Sequence, residues 1–302
     1  MSLIVINQNN VVANSGNSQY TYPFPSTAVL NNHELCVQSC SIYYAWLNIS
    51  SLLQNNTFSY TWTVGTTVTT YTITIPDGLY ELVDLNNLMQ FEMIKNGTYL
   101  INDLLKNVYY AEFIVSPTSY KFQINTFPVP TSLPSGWTVP VANVAAGYAA
   151  YPGYPTQTRN PVVTISSTGF GNIMGFNSGF ATAPNIGVGT NLSYLSTKTP
   201  QVQPSPSALI GCSIVSNKYA SPSSIIYNIV PNVPLAGLID SKPNENTWID
   251  ISKGNYNNIT IQFLSSTTFS PLQLLDSNLS VLLLIREKSI KNEVTTFSKM
   301  LR

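Results

Sequence analysis

The residues able to do chemistry are few. The chain has one histidine, His33, beside Glu34 and close to Cys36; its other cysteines are Cys40 and Cys212. A Cys–His nucleophile needs an exposed thiol in an electropositive setting. Here the strand-like run that starts at Leu35 makes His33 a turn residue before a strand and the cysteines buried thiols. One His and three Cys at these positions match no tetrahedral zinc spacing. From Phe113 to Ile239 there is no Asp or Glu, so a glycosidase-like carboxylate pair would have to be assembled from the two ends of the chain. Gly169-Phe-Gly171-Asn-Ile-Met-Gly175 lacks the Lys-Ser/Thr of a P-loop and the glycine spacing of a dinucleotide site. It reads as a turn followed by a short apolar plug. Tyr148, Tyr151 and Tyr154 are the candidates for surface recognition, able to stack on a sugar or a partner. Catalytic, metal-binding and cofactor-binding residues are read as none, and the chain as not an enzyme.

The composition points the same way. Of 302 residues, 44% are hydrophobic and 9% charged, with zero net charge. Against an average of about 25% charged residues, the surface must be covered by neutral Asn, Ser, Thr and Tyr. Such a surface repels copies of itself weakly, which suits a chain packed among its own kind. Zero net charge argues against nucleic acid as a partner. Arg286, Lys288, Lys291, Lys299 and Arg302 do gather at the end, against Glu287 and Glu293. Cys36 and Cys40, four residues apart in a strand, would stand about 13 Å apart, too far to bridge. A reducing site of synthesis follows. The start, Met1 to Asn7, lacks the basic and long apolar regions of a signal peptide, and no run approaches ~18 apolar residues, so no membrane span is expected. The sequons at Asn48, Asn96 and Asn258 are read as chance products of an Asn-rich chain.

The elements that must position these residues are almost all strands. Thr67–Ile75 alternates, with Tyr71, Ile73 and Ile75 on one face, and Pro76-Asp77-Gly78 stops it. The period then changes to about 3.6, with Leu82, Leu85, Leu88, Met89 and Met93 on one stripe. Asp84 suits the helix start, and Asn96-Gly97 offers a left-handed stop. Leu35–Ile49 is the longest strand candidate, with Cys36, Gln38, Cys40, Ile42 and Tyr44 assigned to one side. Further strands are expected at Leu3–Ile6, Phe58–Trp62, Tyr110–Val115, Tyr120–Asn125, Pro161–Ser166, Ala208–Val215, Ser224–Val230, Ile259–Leu264 and Ser280–Arg286. About eight principal strands, long loops and one helix predict an all-β fold: a single jelly-roll, two-sheet sandwich with one short helix and a Pro/Tyr-rich insertion. The expected parts are a strand and polar arm over 1–33, jelly roll over 34–126, an inserted loop region over 127–160, jelly roll again over 161–287 and a basic tail over 288–302. The inserted region is expected to project outward.

Several segments together resemble a known family. Ile75-Pro76-Asp77-Gly78-Leu79-Tyr80 leading into Leu85-Asn86-Asn87-Leu88 looks like the strand–turn–helix of capsid proteins in polinton-like viruses and virophages. Ile173-Met174-Gly175-Phe176 resembles their Leu-Gly-Phe plug, with Met for Leu. Leu209 to Val215 and Val281 to Arg286 resemble their closing strands. A single set of strands is similar to the penton, or minor capsid, protein, nearest to virophages of the mavirus kind. The resemblance covers roughly two-thirds of the chain and omits Phe127–Pro161. It implies a homopentamer at icosahedral five-fold vertices of a virion made in the host cytoplasm. The implied partners are other copies of the chain and double-jelly-roll major capsid hexons. From their position beyond the strand core, the N-terminal arm and the tail residues Arg286, Lys288, Lys291, Lys299 and Arg302 are expected to lock onto those hexons or to lie on the inner face. The competing reading is a glycan- or receptor-binding jelly roll using the tyrosine-rich loops.

Overall fold

The computed structural model describes residues 1–288 apart from Tyr120 and Pro204. From the N-terminus come β1 (Ser2–Asn7), β2 (Gln19–Val29) and β3 (His33–Tyr43). The middle supplies β4 (Thr57–Val64), β5 (Thr67–Thr74), α1 (Leu82–Lys95), β6 (Leu100–Ile101), β7 (Asn107–Val108), β8 (Ala111–Val115) and β9 (Phe122–Thr126). It continues with β10 (Val163–Ile165), α2 (Thr168–Met174), β11 (Phe180–Ala181) and β12 (Leu192–Leu195). The last third gives β13 (Ala208–Cys212), β14 (Ile225–Ile229), β15 (Leu238–Ser241), β16 (Ile249–Asp250), β17 (Asn255–Ser265) and β18 (Leu279–Glu287). They fall into two compact units, Met1–Leu47 with the chain from Ser205, and Asn48–Pro204.

The first unit is the jelly roll. One sheet has the order β1-β18-β3-β15, with β16 also on β3, and the other has β14-β13-β17-β2, all pairings antiparallel. Strands adjacent in space but distant in sequence, such as β3 and β18, are the signature of that topology. The core between the sheets follows from alternation. Val281, Leu283 and Ile285 of β18 are buried with Ile4 and Ile6 of β1, while Ile210, Ile261, Phe263 and Tyr20 come from the other sheet. Trp46 is fully buried, and its indole N–H donates to the Ser205 carbonyl at 3.0 Å. The two chain segments that build this unit therefore meet at that point.

Two sequence expectations fail here for identifiable reasons. The faces assigned to the strand after His33 slip at Gln38. Leu282 pairs with Ser39 but Leu283 with Val37, so Gln38 is an extra residue. This β-bulge puts Leu35, Val37, Cys40 and Ile42 in the core. The polar arm of residues 1–33 instead contains β2, eleven residues long and paired to β17. Pro23 and Pro25 hide it from a propensity reading, but an edge strand tolerates prolines that a central one does not. The short strands β15 and β16 lie between the expected strands Ser224–Val230 and Ile259–Leu264.

The second unit is the real insertion, and it is far larger than 127–160. Strands β4 and β5 do not join the jelly-roll sheets; they extend the order β11-β10-β4-β5, while β12-β9-β8 forms another sheet. The boundaries expected at 126/127 and 160/161 thus fall inside one unit. Its core holds Phe58, Tyr60, Ile73, Ile75, Phe113, Phe122, Val163 and Phe170, with Leu85, Met89 and Met93 from α1. The helix matches its reading. The Glu81 N–H donates to the Asp84 carboxylate at 2.8 Å, and Gly97 has a left-handed φ of 67°. A Cβ at Gly97 would also run into the Ala150 carbonyl, so two constraints demand glycine there. Buried Asn48 clamps the turn before the helix: its amide donates to the Tyr80 carbonyl at 2.7 Å and its Oδ1 accepts from the Tyr80 N–H at 2.9 Å.

Residues 127–161 do not project freely. The Ala149 N–H donates to the Lys95 carbonyl at 2.8 Å, the Trp62 indole to the Gly153 carbonyl at 3.1 Å, and the Gly65 N–H to the Tyr154 carbonyl at 2.8 Å. Trp62, Leu100, Tyr110 and Val129 form a further cluster that Trp137, Tyr151 and Tyr154 cover. The stretch from Val141 to Gly147 stands in solvent, as do Thr131, Ser132 and Leu133. A Pro-rich segment with no regular strands thus acts as the lid of a core.

Two tests follow from this packing. Because one buried cluster draws only on the ends of the chain, joining Leu47 to Ser205 through a short Gly-Ser linker is expected to leave a cooperatively unfolding jelly roll; a molten or insoluble product would refute that division. Tyr60 and Tyr151 should respond oppositely to loss of a hydroxyl. The Tyr60 hydroxyl is hydrogen-bonded to Thr98 Oγ1 at 2.8 Å and to Asn96 Nδ2 at 3.1 Å, whereas the buried Tyr151 hydroxyl has no partner among the described residues. By chemical denaturation, Tyr60→Phe should cost about 1–2 kcal/mol and Tyr151→Phe should be neutral or stabilising.

Candidate functional site

The structure separates the residues singled out by sequence. Tyr151 packs edge-on against Trp62 with centroids 5.9 Å apart, and Tyr154 leans on Tyr151 at 4.8 Å. Both hydroxyls are buried. Burial first, then the neighbouring Tyr154 and Tyr110, raises the Tyr151 phenol well above its ordinary value. All three tyrosines are half-buried, and the rings of Tyr151 and Tyr154 are engaged in packing. The three tyrosines therefore do not make one open platform.

The chemistry-bearing residues near the start of the chain are equally quiet. The Nδ1 of His33 lies 2.8 Å from the Asn31 carbonyl, at the head of β3. All three cysteines are buried and unbridged. Burial pushes the Cys40 and Cys212 thiols up to about 12 and also raises Cys36. Thiols held protonated at neutral pH are poor nucleophiles. The glycine run becomes α2 rather than a turn, so the described residues hold two α-helices instead of one. Ser167 Oγ caps it by accepting from the Phe170 N–H at 3.1 Å. A Cβ at Gly171 would meet the Phe176 carbonyl at 2.7 Å, and Gly175 ends the helix with a φ of 76°. These glycines answer to close packing, not to a phosphate. Among the described residues no three His, Cys, Asp or Glu side chains converge on a metal position. No helix of the described chain is long and apolar enough to cross a membrane. The Asn48 sequon is buried, so its amide is committed to the fold.

What does come together lies at the end of β18. Of the basic residues, Lys291, Lys299 and Arg302 fall outside the described residues. Arg286 donates to the Glu34 carboxylate at 2.6 Å and lays its guanidinium over the Trp248 ring, 3.8 Å from the centroid. Lys288 reaches Asp250 Oδ1 at 2.7 Å. Two of the five basic side chains are thus engaged within their own unit. Their partners Trp248 and Asp250 belong to the lining of a groove of about 360 Å³, with Ser216, Asn217, Lys218, Tyr219, Thr247 and Ile249. Tyr219 is fully exposed at 100%, the extreme among the large apolar side chains in solvent.

Sequence reasoning missed this groove. Tyr219 and Trp248 are single aromatics inside polar connections, with no period to mark them. The available signal was the two loops flanking strands that must pair, 217–222 and 231–256. A backbone hydrogen bond from the Ser216 N–H to the Asp250 carbonyl, at 3.1 Å, brings those loops together.

Another groove, of about 430 Å³, runs beside β1 and is lined by Leu3, Tyr22, Phe24 and Leu30 among others. On the same edge strand Met1, Leu3 and Val5 are 81%, 56% and 42% exposed. An apolar edge strand left open is a pairing surface unless another chain covers it.

No family model and no curated protein matches the chain. Among solved structures, the chain is similar to the crystal structure of the mavirus penton protein, at 12% identity and a TM-score of 0.41, over 95% of this chain and 100% of that one.

Proposed function

We propose that the chain is a structural capsid protein that forms the homopentameric penton at icosahedral five-fold vertices. The observation that carries the reading is topological: each chain holds one jelly roll, with sheets β1-β18-β3-β15 and β14-β13-β17-β2. One sandwich per chain suits a five-fold position, where each subunit contributes one wedge. A five-fold ring uses a head-to-tail contact, so two different flanks of the subunit must complement each other. Neutral flanks approach without desolvating many charges, and only 9% of this chain is charged. The resemblance of the Ile75–Leu88 and Ile173–Phe176 segments to capsid proteins of virophages and polinton-like viruses supports a capsid role, and the single set of strands resembles the penton protein among them. Buried thiols and scattered carboxylates support a structural role over a catalytic one.

Around the ring, double-jelly-roll hexons would be the next neighbours, contacted by the basic residues after β18. In this reading Arg286 and Lys288 set the direction of the tail, and Lys291, Lys299 and Arg302 reach the hexon. Assembly in the virion follows synthesis in the host cytoplasm.

Native mass spectrometry tests the proposal directly. The purified protein is expected to give a particle of about five times the 33.1 kDa chain, and to join a co-expressed double-jelly-roll capsid protein. A monomer or trimer that persists at high concentration and ignores the hexon would overturn it. Removing residues 289–302 should leave the melting transition in place while weakening hexon association; intact association after truncation would exclude the tail contact.

A further inference from the structure

We infer that the groove between residues 216–219 and β16 binds a neutral pyranose saccharide. The site lies within the jelly-roll unit of one chain, so it stands apart from the assembly reading and from the tyrosine-rich segment.

The lining of the groove decides its ligand class. Its single aliphatic side chain is Ile249, and the rest are aromatic or polar. A saccharide ring needs that mixture, an aromatic surface for its C–H face and polar atoms for its hydroxyls. Tyr219 supplies a fully exposed ring. Half-buried Trp248 adds a second ring, held in orientation by Arg286 over one of its faces at 3.8 Å. A volume of about 360 Å³ sits at the lower end of small-molecule sites, room for one or two sugar rings.

The charges choose the class of sugar. Asp250 Oδ1 is taken by Lys288 at 2.7 Å, which leaves Oδ2 as an acceptor for a ligand hydroxyl. Paired with Lys288, this carboxylate accepts hydroxyl donors without leaving a net charge of its own, so the groove offers hydrogen-bonding atoms suited to a neutral sugar. Lys218 makes no ion pair among the described residues; it is exposed, and its ammonium is left to donate to a ring or hydroxyl oxygen. A greasy peptide finds too little aliphatic surface here.

The walls are also held in advance. Asn217 Oδ1 accepts from the Tyr219 N–H at 3.0 Å, and its amide donates to the Ile225 carbonyl at 3.0 Å. The Asn217 N–H donates to the Ser223 carbonyl at 2.7 Å. Across the groove, β16 pairs with β3 through Ile249 and Asp250. A loop and a strand fixed in this way lose little freedom when a ligand enters.

The test uses the full chain and a panel of maltotriose, cellotriose, mannotriose and chitotriose, with 3′-sialyllactose as the acidic comparator. Saturation-transfer NMR and calorimetry are expected to show one or more neutral trisaccharides binding, with sialyllactose weaker. Tyr219→Ala and Asp250→Asn should each weaken binding by about tenfold or more, while Tyr148→Ala leaves it unchanged. The Tyr219 side chain is fully exposed and its backbone N–H bond to Asn217 survives truncation, so the variant is expected to keep the wild-type melting curve and to read the site alone. Absence of binding across the neutral panel, preference for the sialylated sugar, or full retention in Tyr219→Ala would each overturn the assignment. Native mass measured on the same variants separates this outcome from failure of the pentamer.

Discussion

Strand β18 sits between β1 and β3, and the first unit cannot close without it. Its neighbours are the first and third strands of the chain, so residues 279–287 must return across almost the full sequence to pair with Ser2–Asn7. Contacts of that separation impose a loop-closure cost that local contacts do not. The same constraint explains how an insertion as large as 48–204 is tolerated. Loop-closure cost grows only logarithmically with length, and the two ends of the jelly roll meet at Trp46 and Ser205. What the fold needs at that place is adjacency, and a whole second unit provides it as well as a turn would.

A chain this poor in charge must satisfy its buried polar groups by other means, and here asparagine does much of it. Asn48 and Asn55 are buried side by side: the Asn55 amide donates to the Asn48 carbonyl at 2.8 Å and its Oδ1 accepts from the Ser50 N–H at 2.9 Å. Asn160 donates to the Thr126 carbonyl at 2.8 Å, tying the end of β9 to the Pro-rich segment. An amide carries both donor and acceptor, so it can replace a missing backbone partner on either side without the desolvation cost of an ion. The abundance of Asn is therefore partly internal architecture. It is not only a covering for a neutral surface.

How much of this was legible depended on whether a signal was local. The helix after Pro76-Asp77-Gly78 was readable because its stripe, first-turn Asp84 and Gly97 stop all sit within one short window. The strands of the last third were readable because Val281–Ile285 and Ile259–Leu264 are apolar and β-branched. Strand β2 was not, since its evidence is the partner β17, more than two hundred residues away. The bulge at Gln38 was hidden too, because alternation gives no warning of an extra residue. The insertion boundary failed for the same reason. Composition changes at Phe127, but pairing changes at Asn48, and domains follow pairing.

The aromatic residues show why recognition surfaces are harder to read than cores. Tyr148, Tyr151 and Tyr154 stand out in sequence because they cluster, and clustering is also what a lid needs when it has no strands of its own. Tyr151 and Tyr154 accordingly turn toward Trp62 and Tyr110. Tyr219 and Trp248 do not cluster in sequence at all; β16 pairing with β3 and the Ser216–Asp250 hydrogen bond make them neighbours. An aromatic in a loop is informative when its ring has no core to enter, and only the fold tells which rings those are. In this chain the two groups exchange roles. Two of the conspicuous tyrosines pack the inserted unit, while Tyr219 is left in solvent and Trp248 half-buried in the same groove, beside a carboxylate and an ammonium.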